Sequence, residues 1–240
     1  MEKQLECEKG RLRPFPVTTD EHIGGMKAML RPFVLAAGIA LASLASVPTA
    51  QAAPVAANLT QQQRQEISRI EQYLDGVKTL KSEFVQAGND GSLVKGTIWL
   101  SRPNKMRLEY DPPIKNFVVA DGWFVFYWDD ELKQQSSAPI GSTMADVILR
   151  ENLKLSGDIT VTDFHREANV IEVSVVQTKE PGAGTLTLVF EDGPLRLRKW
   201  RVLDPQGLTT EVALLNPQVG VNLDRNLFIF RDPSMGQRRD

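Results

Sequence analysis

From Leu80 to about residue 215, apolar and polar residues alternate in short runs with a period of two, and turn-forming clusters stand between the runs. The clusters are Gly88 to Gly91 (GNDG), Arg102-Pro103-Asn104, Asp121-Gly122, Asp192-Gly193-Pro194 and Asp204-Pro205-Gln206-Gly207. They delimit predicted strands at 79–87, 93–101, 105–111, 116–121, 123–129, 131–137, 158–165, 170–178, 184–191, 195–204 and 207–215, with a last short run at 226–230. Sequential antiparallel pairing is the simplest topology for such a meander. Two helices are predicted beside it. Behind a capping Thr60, Ile67, Ile70, Leu74 and Val77 recur at spacings of three, four and three. Residues 142–155 (STMADVILRENLKL) interrupt the strands, with Ser142 or Thr143 as N-cap and Met144, Val147 and Ile148 near one face.

Two strands bear on the architecture. Met106, Leu108 and Tyr110 alternate with Lys105, Arg107 and Glu109, the mark of a sheet dry on one face and wet on the other. The run Trp123 to Trp128 (WFVFYW) is apolar on both faces and must be covered twice. Either it is a central sandwich strand, or one of its faces lines a ligand cavity. About eleven strands present more apolar surface than two helices can shield, so the sheet closes on itself or curls around a hollow.

Ahead of these elements, Lys27 and Arg31 precede an uninterrupted apolar run, FVLAAGIALASLASV, which Pro48 breaks, and Ala50-Gln51-Ala52 offers the small-x-small pattern of a signal peptidase site. Residues 26–52 read as a cleavable signal peptide cut after Ala52, with the start at Met26 or Met29 and residues 1–25 as a non-native upstream extension. The apolar run is shorter than the roughly 20 residues that span a bilayer. Ala53 follows the cut, where a lipidated chain would carry Cys. Residues 53–232 then form one exported domain, and 233–240 a flexible tail.

Charge narrows the partners. Lys and Arg number 28 against 30 Asp and Glu, so no basic excess exists to neutralise a nucleic acid. Cys7 and His22 leave with the leader, and His165 alone cannot build a metal cluster or a thiol site. No cofactor is expected. Asp129-Asp130-Glu131 could suggest a pair of catalytic carboxylates, but neighbours on a strand point to opposite faces and the trio reads as a solvated turn. No nucleophile elbow is present, and the chain is not expected to be an enzyme.

Three stretches carry a family likeness: Tyr73-Leu74-Asp75 running to Thr79-Leu80-Lys81-Ser82-Glu83-Phe84-Val85-Gln86; Gly96-Thr97-Ile98-Trp99-Leu100-Ser101-Arg102-Pro103-Asn104-Lys105-Met106-Arg107; and Val119-Ala120-Asp121-Gly122 before the aromatic strand. In this order they resemble LolA, the periplasmic outer-membrane lipoprotein carrier family, over roughly residues 62–232. The resemblance implies a mainly β fold with α: a strongly curved antiparallel sheet, an incomplete β-barrel, covered by lid helices. It also implies a monomeric periplasmic chaperone that takes triacylated lipoproteins from an inner-membrane ABC exporter of the LolCDE type to an outer-membrane acceptor of the LolB type or its equivalent. The alternative is a periplasmic sensor or a binding protein for another lipid on the same fold. The family's lid-closing arginine falls on Arg102 and its apolar partner in the first helix on Leu74. Its inward-facing strand residues fall on Met106 and Leu108, where other members carry aromatic side chains. Tyr110, Val118, Phe124, Phe126, Met144, Val147 and Ile148 complete the expected acyl-chain cavity.

The chemistry of such a carrier is physical. Exposing an acyl chain to water costs about 0.8 kcal/mol per methylene, so three chains cost tens of kcal/mol. An arginine that hydrogen-bonds the lid in the empty state competes with cargo and limits affinity.

Overall fold

The structure, a computed structural model, describes residues 54–236; the expected signal peptide at 26–52, the segment 1–25 and residues 237–240 of the tail lie outside the described residues. Helix α1 (Gln61–Gly76) starts where Thr60 predicts, in a complete capping box: Thr60 Oγ1 accepts the Gln63 N–H at 3.2 Å, and Gln63 Oε1 accepts the Thr60 N–H at 2.8 Å. Its apolar stripe, Ile67, Ile70 and Leu74, is buried.

Eleven strands follow: β1 (Thr79–Ala87), β2 (Leu93–Ser101), β3 (Lys105–Tyr110), β4 (Phe117–Asp121), β5 (Phe124–Asp129), β6 (Gln134–Pro139), β7 (Ile159–Glu167), β8 (Val170–Gln177), β9 (Thr185–Glu191), β10 (Arg196–Leu203) and β11 (Thr209–Val219). They form one antiparallel sheet in the order β6-β5-β4-β3-β2-β1-β11-β10-β9-β8-β7. Sequential pairing therefore holds within β1–β6 and within β7–β11 but not throughout. The first strand pairs with the last, Phe84 opposite Leu214, and β6 and β7 are left as edges. The connection between those edges carries the second helix, α2 (Ala145–Leu149). Polar residues and Pro139 mark the β6 edge, and Ala57 N–H bonds to the Val161 carbonyl at 2.8 Å on the β7 edge, two ways of blunting an exposed strand.

The core lies on one face of this sheet. Met106, Leu108, Val118, Trp200, Val212 and Leu214 meet the buried stripe of α1 and residues Val147–Leu149 of α2. Strands as distant in the order as β3 and β10 share one lining, so the sheet is curved with this face concave. Gly96 lets β1, β2 and β3 approach: a Cβ there would lie 2.0 Å from the Glu109 carbonyl oxygen and 2.7 Å from the Phe84 ring.

Several predicted elements change. The helix expected over 142–155 shrinks to Ala145–Leu149 behind a 3-10 turn, Ile140–Ser142. Ser142 and Thr143 do not cap it; their hydroxyls donate backwards to the Pro139 and Ile140 carbonyls. The strand expected at 131–137 slides to Gln134–Pro139 because residues 130–133 form the turn, with Lys133 at φ 52°. The run at 226–230 is a 3-10 turn, Arg225–Phe228, capped by Asp224, and Pro233–Gly236 is another.

Candidate functional site

The turn between β2 and β3 presents Arg102 to both helices. Its Nε donates to the Ile148 carbonyl at 2.9 Å and its Nη1 to the Leu74 carbonyl. Both oxygens belong to last turns of helices, where carbonyls are short of i+4 partners, and the Leu74 oxygen also accepts the Val77 N–H at 3.1 Å. The turn's backbone repeats the attachment: Asn104 N–H bonds to the Leu149 carbonyl at 2.9 Å, and Arg102 N–H to the Lys78 carbonyl at 2.8 Å. Burial pushes the Arg102 pKa down from its usual value, and the charge of Asp75 partly opposes this. A guanidinium remains charged under these conditions. Leu74 contributes its carbonyl to this contact, while its side chain is sunk in the core at 3% exposure.

The lid is stitched internally by two carboxylates of α1. Glu71, itself buried, accepts the Leu155 N–H at 2.8 Å and the Lys154 ammonium at 3.0 Å, while Asp75 accepts the Leu153 N–H at 2.8 Å. These bonds explain the shortened α2: backbone N–H groups that would continue the helix are held by α1 instead. Farther along, Asp192 receives Arg69 through both oxygens, at 2.8 and 3.0 Å, and Arg166 at 2.6 Å. Those guanidiniums hold its carboxyl at about 2, below the usual carboxylate range.

Beneath the lid is an apolar hollow of about 100 Å³, walled by Met106, Leu108, Val118, Met144 and Ile148 together with Val125, Tyr127, Trp200 and Val212. It is smaller than the roughly 300–1,000 Å³ of a typical small-molecule pocket. Burial pushes the Tyr127 phenol up to about 12 and keeps it neutral, against the smaller opposing effect of the Asn116 amide N–H that it accepts at 2.7 Å. Tyr110 packs edge-on against Phe84 beside the hollow and donates to Gln86 at 3.0 Å; burial raises its pKa as well. Val147 lies fully buried in the core of the lid, outside the lining.

Phe124 and Phe126 require correction. The pleat of β5 turns Val125 and Tyr127 to the hollow and sends Phe124, Phe126 and Trp128 to the other face. There Phe230 stacks on Phe126 with ring centroids 4.6 Å apart, and Phe117 stacks on Trp128. The C-terminal segment supplies the second cover that the doubly apolar strand demanded.

A family model for the outer membrane lipoprotein carrier protein LolA matches residues 75–231, more than half of the sequence. The chain belongs to the LolA family. Among its relatives, the outer-membrane lipoprotein carrier protein of Methylococcus capsulatus is 26% identical over 175 residues, covering 70% of this chain and 84% of that protein. The protein of the same name in Dechloromonas aromatica is 29% identical over 178 residues, with the same coverage, and that of Chromohalobacter salexigens is 28% identical over 177 residues, covering 69% and 82%.

In this LolA family chain several site residues escaped the sequence reading. Val125 and Tyr127 were legible only as the alternate set to Phe124 and Phe126. Trp200 and Val212 reach the hollow through the β1–β11 closure, which no local pattern announces. Glu71 and Asp75, four apart on α1, are an ordinary exposed pair by type; their burial against residues 153–155 comes from the tertiary fold. The Asp129-Asp130-Glu131 trio runs from the end of β5 into the β5–β6 turn, Asp129 accepting the N–H groups of Glu131 and Leu132 at 2.9 and 3.0 Å. His165 sits exposed, 3.6 Å from Glu167.

Proposed function

We propose that this chain is a periplasmic carrier that shelters the acyl chains of lipoproteins between its curved sheet and its helical lid. Arg102 carries the reading. Its two bonds to the Leu74 and Ile148 carbonyls join strand turn, first helix and second helix, and Ile148 itself walls an apolar hollow too small for three acyl chains. The empty protein is the closed one. Loading separates α1 and α2 from the sheet and sacrifices the Arg102 bonds, and apolar burial of the chains offsets that loss. On delivery the lid recloses and those bonds re-form, which bounds the affinity from above.

On this reading the chain is cleaved after Ala52, works as one domain over residues 53–232 as a monomer without a cofactor, and performs no covalent chemistry. It accepts triacylated lipoprotein from an inner-membrane ABC exporter of the LolCDE type and surrenders it to an outer-membrane acceptor of the LolB type or its equivalent. The test is transfer between membranes: inner-membrane vesicles charged with a triacylated lipoprotein should release it into solution only with this protein present, as a one-to-one complex. Release at the background rate would refute the proposal.

A further inference from the structure

Strands β10 and β11 pair only from Lys199 opposite Ala213 to Leu203 opposite Thr209. Beyond that level the sheet splits. Residues 196–198 keep β9 on one side, and residues 214–219 keep β1 on the other, with no strand between them among the described residues. Each wall is bent by a bulge: the β10 register shifts between Leu197 and Lys199, and the β1–β11 register shifts between Lys81 and Glu83, where Asn216 takes φ 52° and Pro217 has no N–H to offer. The result is a slot of about 630 Å³ walled by Tyr73, Leu195, Leu214, Leu215 and Pro217, with Arg196 and Arg198 in its lining and no carboxylate. Arg196 is exposed and has no ion pair among the described residues, and Arg198 has one loose contact, 3.4 Å to Glu191.

We propose that this slot receives an extended, acidic segment of the cargo's polypeptide as an added strand. The inference rests on the carrier reading above and names where the protein part of the cargo runs. Two considerations select a polypeptide. On the β10 edge the Leu197 N–H is held by the Tyr73 hydroxyl at 3.0 Å, so an incoming peptide takes the place of that hydroxyl; a strand edge pairs with peptide groups, whereas an acyl chain would strip its backbone of water without replacing a hydrogen bond. Two guanidiniums without a lining carboxylate then favour Asp and Glu side chains. Continuity selects the cargo. Val212 walls the acyl hollow, Leu214 on the same face of β11 walls the slot, and Tyr73 of the slot adjoins Leu74, whose carbonyl holds Arg102. A lipoprotein whose chains fill the hollow can leave along this strand.

The experiment uses synthetic triacylated peptides with an Asp/Glu-rich or a Ser-rich linker, and a photo-cross-linking residue in place of Leu215, which is 40% exposed. The acidic linker should cross-link at this position and bind about three- to tenfold tighter, the range expected for two partly exposed ion pairs. The Arg196→Glu/Arg198→Glu double variant, and the milder Gln pair, should erase that preference and leave uptake of a fluorescent acyl probe unchanged. Equal affinity for the two linkers, with acyl uptake intact, would overturn the slot and spare the carrier. Absence of acyl uptake by the unaltered protein would remove the carrier reading and this inference with it.

Discussion

Asp75 Oδ1 accepts the backbone N–H of Leu153 at 2.8 Å, one helical turn beyond Glu71, whose Oε1 takes the N–H of Leu155 at the same distance. Helix α1 and the chain after α2 are thus bonded to each other, and Arg102 bonds both helices to the β2–β3 turn. Glu71→Ala should cost about 1–3 kcal/mol, because a buried N–H is left unpaired. Hydrogen exchange should accelerate at Leu155 and its neighbours ahead of global unfolding. Unchanged protection at those amides would mean that the stitch is dispensable.

Arg102→Leu should still take up lipoprotein but pass it on poorly, since the closed empty state loses its two bonds to lid carbonyls, worth about 1.5–3 kcal/mol each for a charged donor. Arg102→Lys should fall between, because an ammonium lacks the planar fork that reaches both oxygens. Transfer from donor to acceptor membrane measures this, and normal handover by the Leu variant would count against the latch.

The two faces of β5 offer an internal control. Val125→Asp places a carboxylate in the hollow and should abolish acyl uptake, whereas Phe124→Asp, on the far face at 44% exposure, should retain it. Titration with a fluorescent fatty acyl probe separates them. The opposite ranking would reverse the assignment of the faces.

Acid should loosen α1 through Asp192. Its carboxyl is depressed from 3.8 to about 2 by hydrogen bonds from Arg69 and Arg166. The stabilisation is therefore complete above the unfolded value near 3.8 and is lost as pH falls through about 2. The difference in Tm between the unaltered protein and Asp192→Asn should hold steady above pH 4 and shrink towards pH 2. A difference that stays constant over that window would assign the cluster no role.

Strand positions were legible because each side chain reports its neighbour's environment with a period of two, and a half-wet strand such as β3 declares its sides: Met106 and Leu108 go in, Arg107 and Glu109 do not. The resemblance in the stretch around Arg102 singled out a side chain that the structure bonds to carbonyls of both helices. Where both faces are apolar, as in β5, alternation carries no sign, and only the position of Phe230 reveals that the Phe124 side is the outer one. Local pattern also stops at α2, whose length is decided by two distant carboxylates on α1, not by the propensities of residues 150–155.

By itself, the sequence determined the strands, the cap at Thr60, the apolar face of α1 and membership in a lipoprotein-carrier family, all properties of neighbouring residues or of their order. Closure of β1 on β11, the split above Lys199 and Ala213, and the smallness of the hollow beneath the lid were decided only in three dimensions. The closure joins groups more than a hundred residues apart along the chain, and hydrogen-bond register and packing between separate strands leave no periodic trace in either segment.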